Sequence, residues 1–366
     1  CNQYFSTINI YNAGQTLIYQ THISNDIAGG DSWQWVSGES VLVGPIIGMV
    51  DNASAWVWIK GVKAGTYRIK YRLQNSGGAW SYASGASIAS STRFTATVQL
   101  AGLNASTMYE YQAQMDYGGG YQDEGGLQYF KTGCDSGKSC ALSFTLGSCK
   151  RQTNGPFQIL CKAKDTLAPD FHMEIGDFVY LDTDVVISPV ENNEDSKAAV
   201  ESKFLDMWIA SCVRSLASST PYILQRDDHE ENDDPARHDI FPYHMGIDKE
   251  IKDKNSGMPN FEVPSRADLA KEMNAYYWFN GVPDSLKRST SSSDGYEYAF
   301  SYVDIRFVMP DTRWYREDPW ATDNSSKSLF GSAQKTWLIN QIQNPPANTK
   351  LMFVAFPSST KYSTSA

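Results

Sequence analysis

Residues 169–182 read PDFHMEIGDFVYLD, an apolar run closed by Gly176 and Asp177 and followed by Tyr180. An apolar run of this length ending in a turn pair predicts a buried strand that delivers Asp177 at its C-terminal end. Upstream, Leu142–Leu146 predicts a similar strand running into Gly147, Ser148 and Cys149, with a helix over Phe157–Lys164 between the two. Downstream, a helical stretch over Ala198–Leu216 leads to a strand over Tyr222–Gln225. That strand opens into the acidic run DDHEENDD, Asp227–Asp234. Strands alternating with helices predict an α/β domain. The stretch 250–295 is polar and loop-like, and Phe300–Phe307, Trp337–Gln343 and Leu351–Phe356 then predict a strand, a helix and a strand. No internal repeat is visible.

In front of this domain the pattern is different. Residues 43–133 hold short alternating runs at Ala55–Lys60, Thr66–Leu73, Thr92–Leu100, Met108–Met115 and Leu127–Thr132, separated by Gly, Asn and Ser. Such spacing predicts a small β-sandwich. Residues 1–42 are polar and rich in Gly and Asn, and are expected to form an irregular N-terminal extension. The second domain is taken as 140–366.

Composition limits the possible functions. The 366 residues are 41% hydrophobic and 20% charged, which suits two globular domains with a core each. Aromatic residues make up 13%, a share that β-rich packing or carbohydrate and partner contacts would both use. A formal net charge of -10 argues against a nucleic-acid-binding surface, which needs a basic footprint. Carboxylates can instead hold cations that present positive charge to a phosphate ester. No run of apolar residues is long enough for a transmembrane span, and no signal peptide is visible.

Cys1 has two readings, a lipid anchor of the bacterial lipoprotein kind or a disulfide partner at an arbitrary start. The other cysteines are Cys134, Cys140, Cys149, Cys161 and Cys212. Cys134 and Cys140 flank a short loop that a disulfide could close in an oxidising compartment. Sequons at Asn52, Asn104 and Asn324 fit the same compartment, although Ser-rich chains contain such triplets by chance. These features favour a secreted or extracytoplasmic protein.

The residues that could carry chemistry sit where predicted strands end: Cys149, Asp177 and the acidic run with His229. In open α/β sheets these loops converge on the ligand site. Carboxylate oxygens suit calcium and a thiolate suits a transition metal, so the inventory fits a mixed metal site better than zinc. Each residue also has a plain alternative. Cys149 can be a small buried hydrophobe, Asp177 a turn or capping residue, and the acidic run a solvated loop. Arg226, Arg306, Arg313 and Lys150 are candidates for phosphate contact or for structural pairing, and Arg313 is expected to pair with a carboxylate. Ser148 lacks the G-x-S-x-G surroundings of a nucleophile.

LGSC (146–149), PDFHMEIGDFVYLD (169–182), LQRDDHEENDD (224–234), DIRFVMPDTRWYR (304–316) and LFGSAQKTWLINQI (329–342) resemble successive motifs of the alkaline phosphatase D (PhoD)-like family. LAGLNASTMYEYQAQM (100–115) resembles the fibronectin type III pattern, so the front domain is expected to be fibronectin-III-like. The resemblance implies a calcineurin-like metallophosphoesterase domain with two sheets. It also implies Fe3+ and Ca2+ as cofactors, and metal-dependent hydrolysis of phosphomonoesters and phosphodiesters by a metal-activated water. Carried over by position, Cys149 and Tyr180 would bind iron and Asp177 would bridge iron and calcium. Asp228 and His229 fall on the DDHE core, with Asp228 a further ligand. Asp234 would be a metal ligand where the family often has Asn. With Arg226, Asp228 and His229 would make up the catalytic set. The family's later Gly-Asp-x-His-type segment has no counterpart before Ala366, so the C-terminus is expected to be incomplete. The alternative is a non-catalytic surface or binding protein that retains the phosphatase fold, because function belongs to the site and not the scaffold.

Overall fold

The structure is a computed structural model that describes residues 6–11, 17–23, 41–135, 138, 140–151, 154–181, 194–230, 272–277, 281–291, 294–317, 322, 324–325 and 327–357. Within the N-terminal 42 residues, expected to be irregular, β1 (Ser6–Tyr11) and β2 (Leu17–Ile23) form an antiparallel pair. Their Ile, Thr and Tyr content supplies the β-propensity, and the surrounding Asn and Gly hid it.

β3 (Val41–Val50), β4 (Ser54–Gly61) and β7 (Thr95–Ala101) make one sheet. β6 (Ser81–Ile88), β5 (Gly65–Leu73), β8 (Met108–Asp116) and β9 (Gln122–Lys131) make the other. Five of these seven strands contain or overlap the predicted runs. β3 was hidden by Gly44 and Pro45, where its pairing with β4 shifts register. A proline cannot donate to the ladder, so the strand bulges there. Gly44, at φ 104, sits where a Cβ would come 3.0 Å from the Trp58 carbonyl oxygen. β6, reading SYASGASI, is too rich in small residues to signal a strand. Val57, Ile59, Val98 and Leu100 of the first sheet meet Tyr67, Ile69, Tyr111 and Phe130 of the second in one buried cluster. The Tyr109 hydroxyl accepts the Asn104 N–H at 2.8 Å, which fixes the turn entering β8.

The second half has four layers. β10 (Phe144–Gly147), β11 (Phe171–Ile175) and β12 (Tyr222–Gln225) form a parallel sheet. β13 (Tyr298–Tyr302) and β14 (Ile305–Met309) form a hairpin, with β15 (Leu351–Val354) parallel to β14. The expected single strand over Phe300–Phe307 is therefore two strands, turning at Val303, which has φ 59. The predicted helix over Phe157–Lys164 starts as α1 (Gln158–Lys162). The predicted helix over Ala198–Leu216 divides into α2 (Glu194–Ile209) and α3 (Ser211–Ala217), because Ala210 is extended at ψ 126. A further helical segment, α4, covers 272–277, and α5 spans Gly331–Gln343.

Alternation along each strand assigns the faces. Phe171, Met173 and Ile223 pack against Tyr298, Phe300, Phe307 and Met309 between the two sheets. Tyr222 and Leu224 face Trp208, Val213 and Leu216 of α2 and α3. Ala299 and Val308 face Leu338 of α5. A disulfide joins Cys161 of α1 to Cys212 of α3, and Cys134 pairs with Cys140 as expected. Among the described residues no helix is long and apolar enough to cross a membrane.

Candidate metal centre

Three loops leave the C-terminal ends of β10, β11 and β12 side by side: Gly147–Lys150, Gly176–Leu181 and Arg226–Glu230. Convergence at strand C-termini is where open α/β sheets hold ligands. Gly176 permits the closest approach. At φ 92, a Cβ on it would lie 2.4 Å from the Asp227 Cβ, so a side chain would push the second and third loops apart. Cys149 and Asp177 both adopt the left-handed conformation, at φ 60 and φ 56. Non-glycine residues persist there only when their surroundings hold them. Backbone bonds do so, with Lys150 N–H donating to the Asp177 carbonyl at 2.8 Å and Cys149 N–H to the Gly176 carbonyl at 3.3 Å.

This backbone brings together most of the residues singled out from sequence. Donor atoms of Asp177, Asp228 and His229 lie within 4.8 Å of one another. The Tyr180 hydroxyl donates to Asp177 Oδ2 at 3.2 Å, and its ring stacks on His229 with centroids 4.0 Å apart. Cys149, the free cysteine among the described residues, interacts through its thiol with Ser148, Asp177 and Tyr180. Asp234 lies outside the described residues. Arg226 is 2% exposed, with its guanidinium carbon 5.8 Å from the ring centroids of Tyr296 and Trp314. It packs behind the loop and contributes little exposed surface. Arg313 pairs with Asp227 and lies 3.6 Å from Asp228, so the loop after β14 ties the second sheet to the acidic run as expected. Arg306 is linked to Gln341 of α5 instead.

The electrostatics describe a cluster with too much negative charge for its surroundings. Burial, then the neighbouring Asp228, pushes the Asp177 carboxyl up to about 6. Cys149 is exposed, and partial desolvation with the neighbouring Asp177 raises its thiol, although Ser148 and Tyr180 oppose the shift through hydrogen bonds. The Tyr180 phenol is raised by burial, then by Asp177 and Cys149. Asp177 Oδ1 is buried and has no hydrogen-bond partner. A buried carboxylate oxygen with no donor is costly unless a cation occupies the position. The donor set of thiol, phenol, imidazole and carboxylates suits a transition metal beside a harder cation. The residues present therefore fit a metal centre.

Sequence reasoning missed the groups that support these loops. Lys150 does not face outward for phosphate contact. It is paired with Glu174, whose Oε2 also accepts the Tyr222 hydroxyl at 3.0 Å and lies 3.2 Å from His172 Nε2. Glu230 is fully buried between the second and third loops. The available signal was polar residues at alternate positions of a buried strand, His172 and Glu174 in FHMEI.

Comparison with known proteins fits this arrangement. The profile of the PhoD-like phosphatase family matches residues 144–362, and that of a domain of unknown function (DUF7800) matches residues 38–123. A search of the curated proteins returns no match. Among solved structures, PhoD superposes with a TM-score of 0.66 at 15% identity, covering 88% of this chain and 63% of PhoD. A purple acid phosphatase, PPD1 from yellow lupin (Lupinus luteus) seeds, superposes at 0.54 with 13% identity, covering 85% of this chain and 50% of the other. The chain thus spans less than two thirds of either relative, and at these identities the likeness is one of fold. Because the phosphatase profile covers more than half of the sequence and includes all three site loops, this chain belongs to the PhoD-like phosphatase family.

Proposed function

We propose that the protein is an extracytoplasmic phosphoesterase that hydrolyses phosphomonoesters and phosphodiesters with Fe3+ and Ca2+ bound at the three-loop site. The observation that carries this reading is the convergence of Asp177, Asp228 and His229 around a buried Asp177 Oδ1 that no protein group satisfies. Cys149, Asp177 and Tyr180 would hold the iron, and Asp177 with Asp228 would hold the calcium; Asp234, the further ligand expected from sequence, lies outside the described residues. When bound, the metals supply positive charge to the phosphoryl oxygens and acidify a water for attack at phosphorus.

The chain's own residues do the rest. Asp177 and Asp228 would hold the cations, on loops that approach closely at Gly176 and that Arg313 links to the second sheet. His229 stacks on the Tyr180 ring beside Asp177 and Asp228, and we assign it the transfer of a proton to the leaving oxygen. Catalysis of this kind is mostly positioning and charge stabilisation, which a rigid loop cluster provides. Two disulfides, with exposed sequon residues at Asn104 and Asn324, support a location outside the cytoplasm.

The test is hydrolysis of p-nitrophenyl phosphate and of its bis-ester by the purified protein before and after chelation. Activity is expected to vanish with the metals and to return on adding them back. Asp177→Asn is expected to lower turnover at least ~100-fold while the circular dichroism spectrum is kept. Undiminished turnover in that variant would sink the assignment.

A further inference from the structure

Glu230 lies next to His229 in sequence, and its side chain points away from solvent, with 0% exposure. Its two carboxylate oxygens are used separately. Oε1 accepts the N–H of Phe178, the residue immediately after Asp177. Oε2 accepts the N–H of Asp227, the residue immediately before Asp228, at 2.9 Å. The Glu230 carbonyl in turn accepts Asn274 Nδ2 of α4 at 3.2 Å. Alongside, Leu181 N–H donates to the His229 carbonyl at 2.9 Å. One buried side chain thus bridges the peptides that flank two acids on separate loops. A backbone N–H aimed at a side-chain oxygen fixes direction as well as distance, and two such bonds from one side chain hold the two loops in register. Asp177 is held at φ 56, a conformation that needs such restraint.

We propose that Glu230 is a positioning residue that sets the separation of Asp177 and Asp228 before any metal binds. The inference rests on the metal-centre reading above and adds to it a residue that is not itself a ligand. A carboxylate is required because both oxygens must accept. Glutamine offers one acceptor and turns an NH2 group toward the other backbone N–H. Aspartate keeps two acceptor oxygens but is one methylene too short to span both loops.

The experiment uses the full chain as purified and follows iron and calcium per chain by elemental analysis during dialysis against increasing chelator. Native protein, Glu230→Gln, Glu230→Asp and the distant core variant Leu338→Ala are compared, with melting temperatures recorded for all four. Both Glu230 variants are expected to lose metal at about 10- to 100-fold lower chelator than the native protein, the usual effect of removing a partner behind the ligands. Leu338→Ala, though destabilised, is expected to retain metal as the native protein does. Native-like retention in both Glu230 variants would overturn the inference and leave the metal centre standing, as would an equal loss in Leu338→Ala. Native protein that carries no metal would overturn the metal-centre reading itself, and the clasp with it.

Discussion

Asp177 and His172 lie on the same strand and loop unit and carry opposite electrostatic consequences. Asp177, at the strand's end, gathers negative charge that a cation would neutralise. His172, inside the sheet, is held neutral. Its Nδ1 lies 2.8 Å from Thr145 Oγ1 and its Nε2 faces Glu174, with Tyr222 against its ring. Burial, then the Lys150 charge, pushes its pKa down to about 3. Below the ordinary histidine value of 6.5 the unfolded chain takes up a proton that the folded chain refuses. Stability therefore falls as pH drops from about 6.5 toward 3, by at most roughly 1.4 kcal/mol per pH unit for this group. Urea unfolding at pH 7 and pH 4.5 is expected to show this loss, and His172→Gln to reduce it. An equal acid-side loss in the variant would exclude His172 as the cause. Cys149, Asp177, Tyr180, Asp228 and His229 were legible as candidates because each stands at or beside the end of a strand or in the acidic run. Glu174 and Glu230 were not, because a buried carboxylate serving backbone or lysine looks, in sequence, like any other acid.

At the scale of elements, legibility followed hydrophobic periodicity. β4, β5, β8 and β12 stand close to where their alternating or apolar runs predict them. β3, β6 and the β13–β14 hairpin were hidden or merged. A proline bulge, a run of small residues and a tight turn at Val303 each erase the pattern that a strand should show. α5 begins at Gly331, ahead of the predicted Trp337, because its first turns carry few apolar residues. The Cys161–Cys212 bridge was equally invisible, since spacing does not choose partners among several cysteines. It ties α1 to α3 across a sequence separation of 51. Closing a loop of that length stabilises by about 4 kcal/mol if chain entropy governs. Replacing both cysteines with alanine is expected to lower the denaturant midpoint accordingly. An unchanged midpoint would mean that packing of the two helices suffices without the bond.

The whole molecule is joined more tightly than its two sequence patterns suggest. Val43, Ile46 and Trp58 of the sandwich belong to the same apolar cluster as α2 and α3. Trp58 Nε1 donates to the Tyr276 carbonyl at 2.9 Å, and the Tyr111 hydroxyl donates to the Ser218 carbonyl at 2.7 Å. Lys60 and Arg93 of the sandwich both pair with Glu201 of α2, which also accepts the Tyr277 hydroxyl. Glu201→Ala would leave two largely buried cations without that partner, at a cost of about 3–5 kcal/mol. Calorimetry is expected to show one unfolding transition for both halves in the native protein and a lower midpoint in the variant. Two separated native transitions would contradict a shared core. A front domain fixed in this way supports α2 and, through the Trp208 and Tyr222 packing, the sheet that carries the site loops. The most direct test of the account is the metal content of purified native protein beside that of Asp177→Asn. Iron and calcium bound to the native chain and lost from the folded variant is the predicted result. Equal metal in both, or none in the native chain, would contradict it.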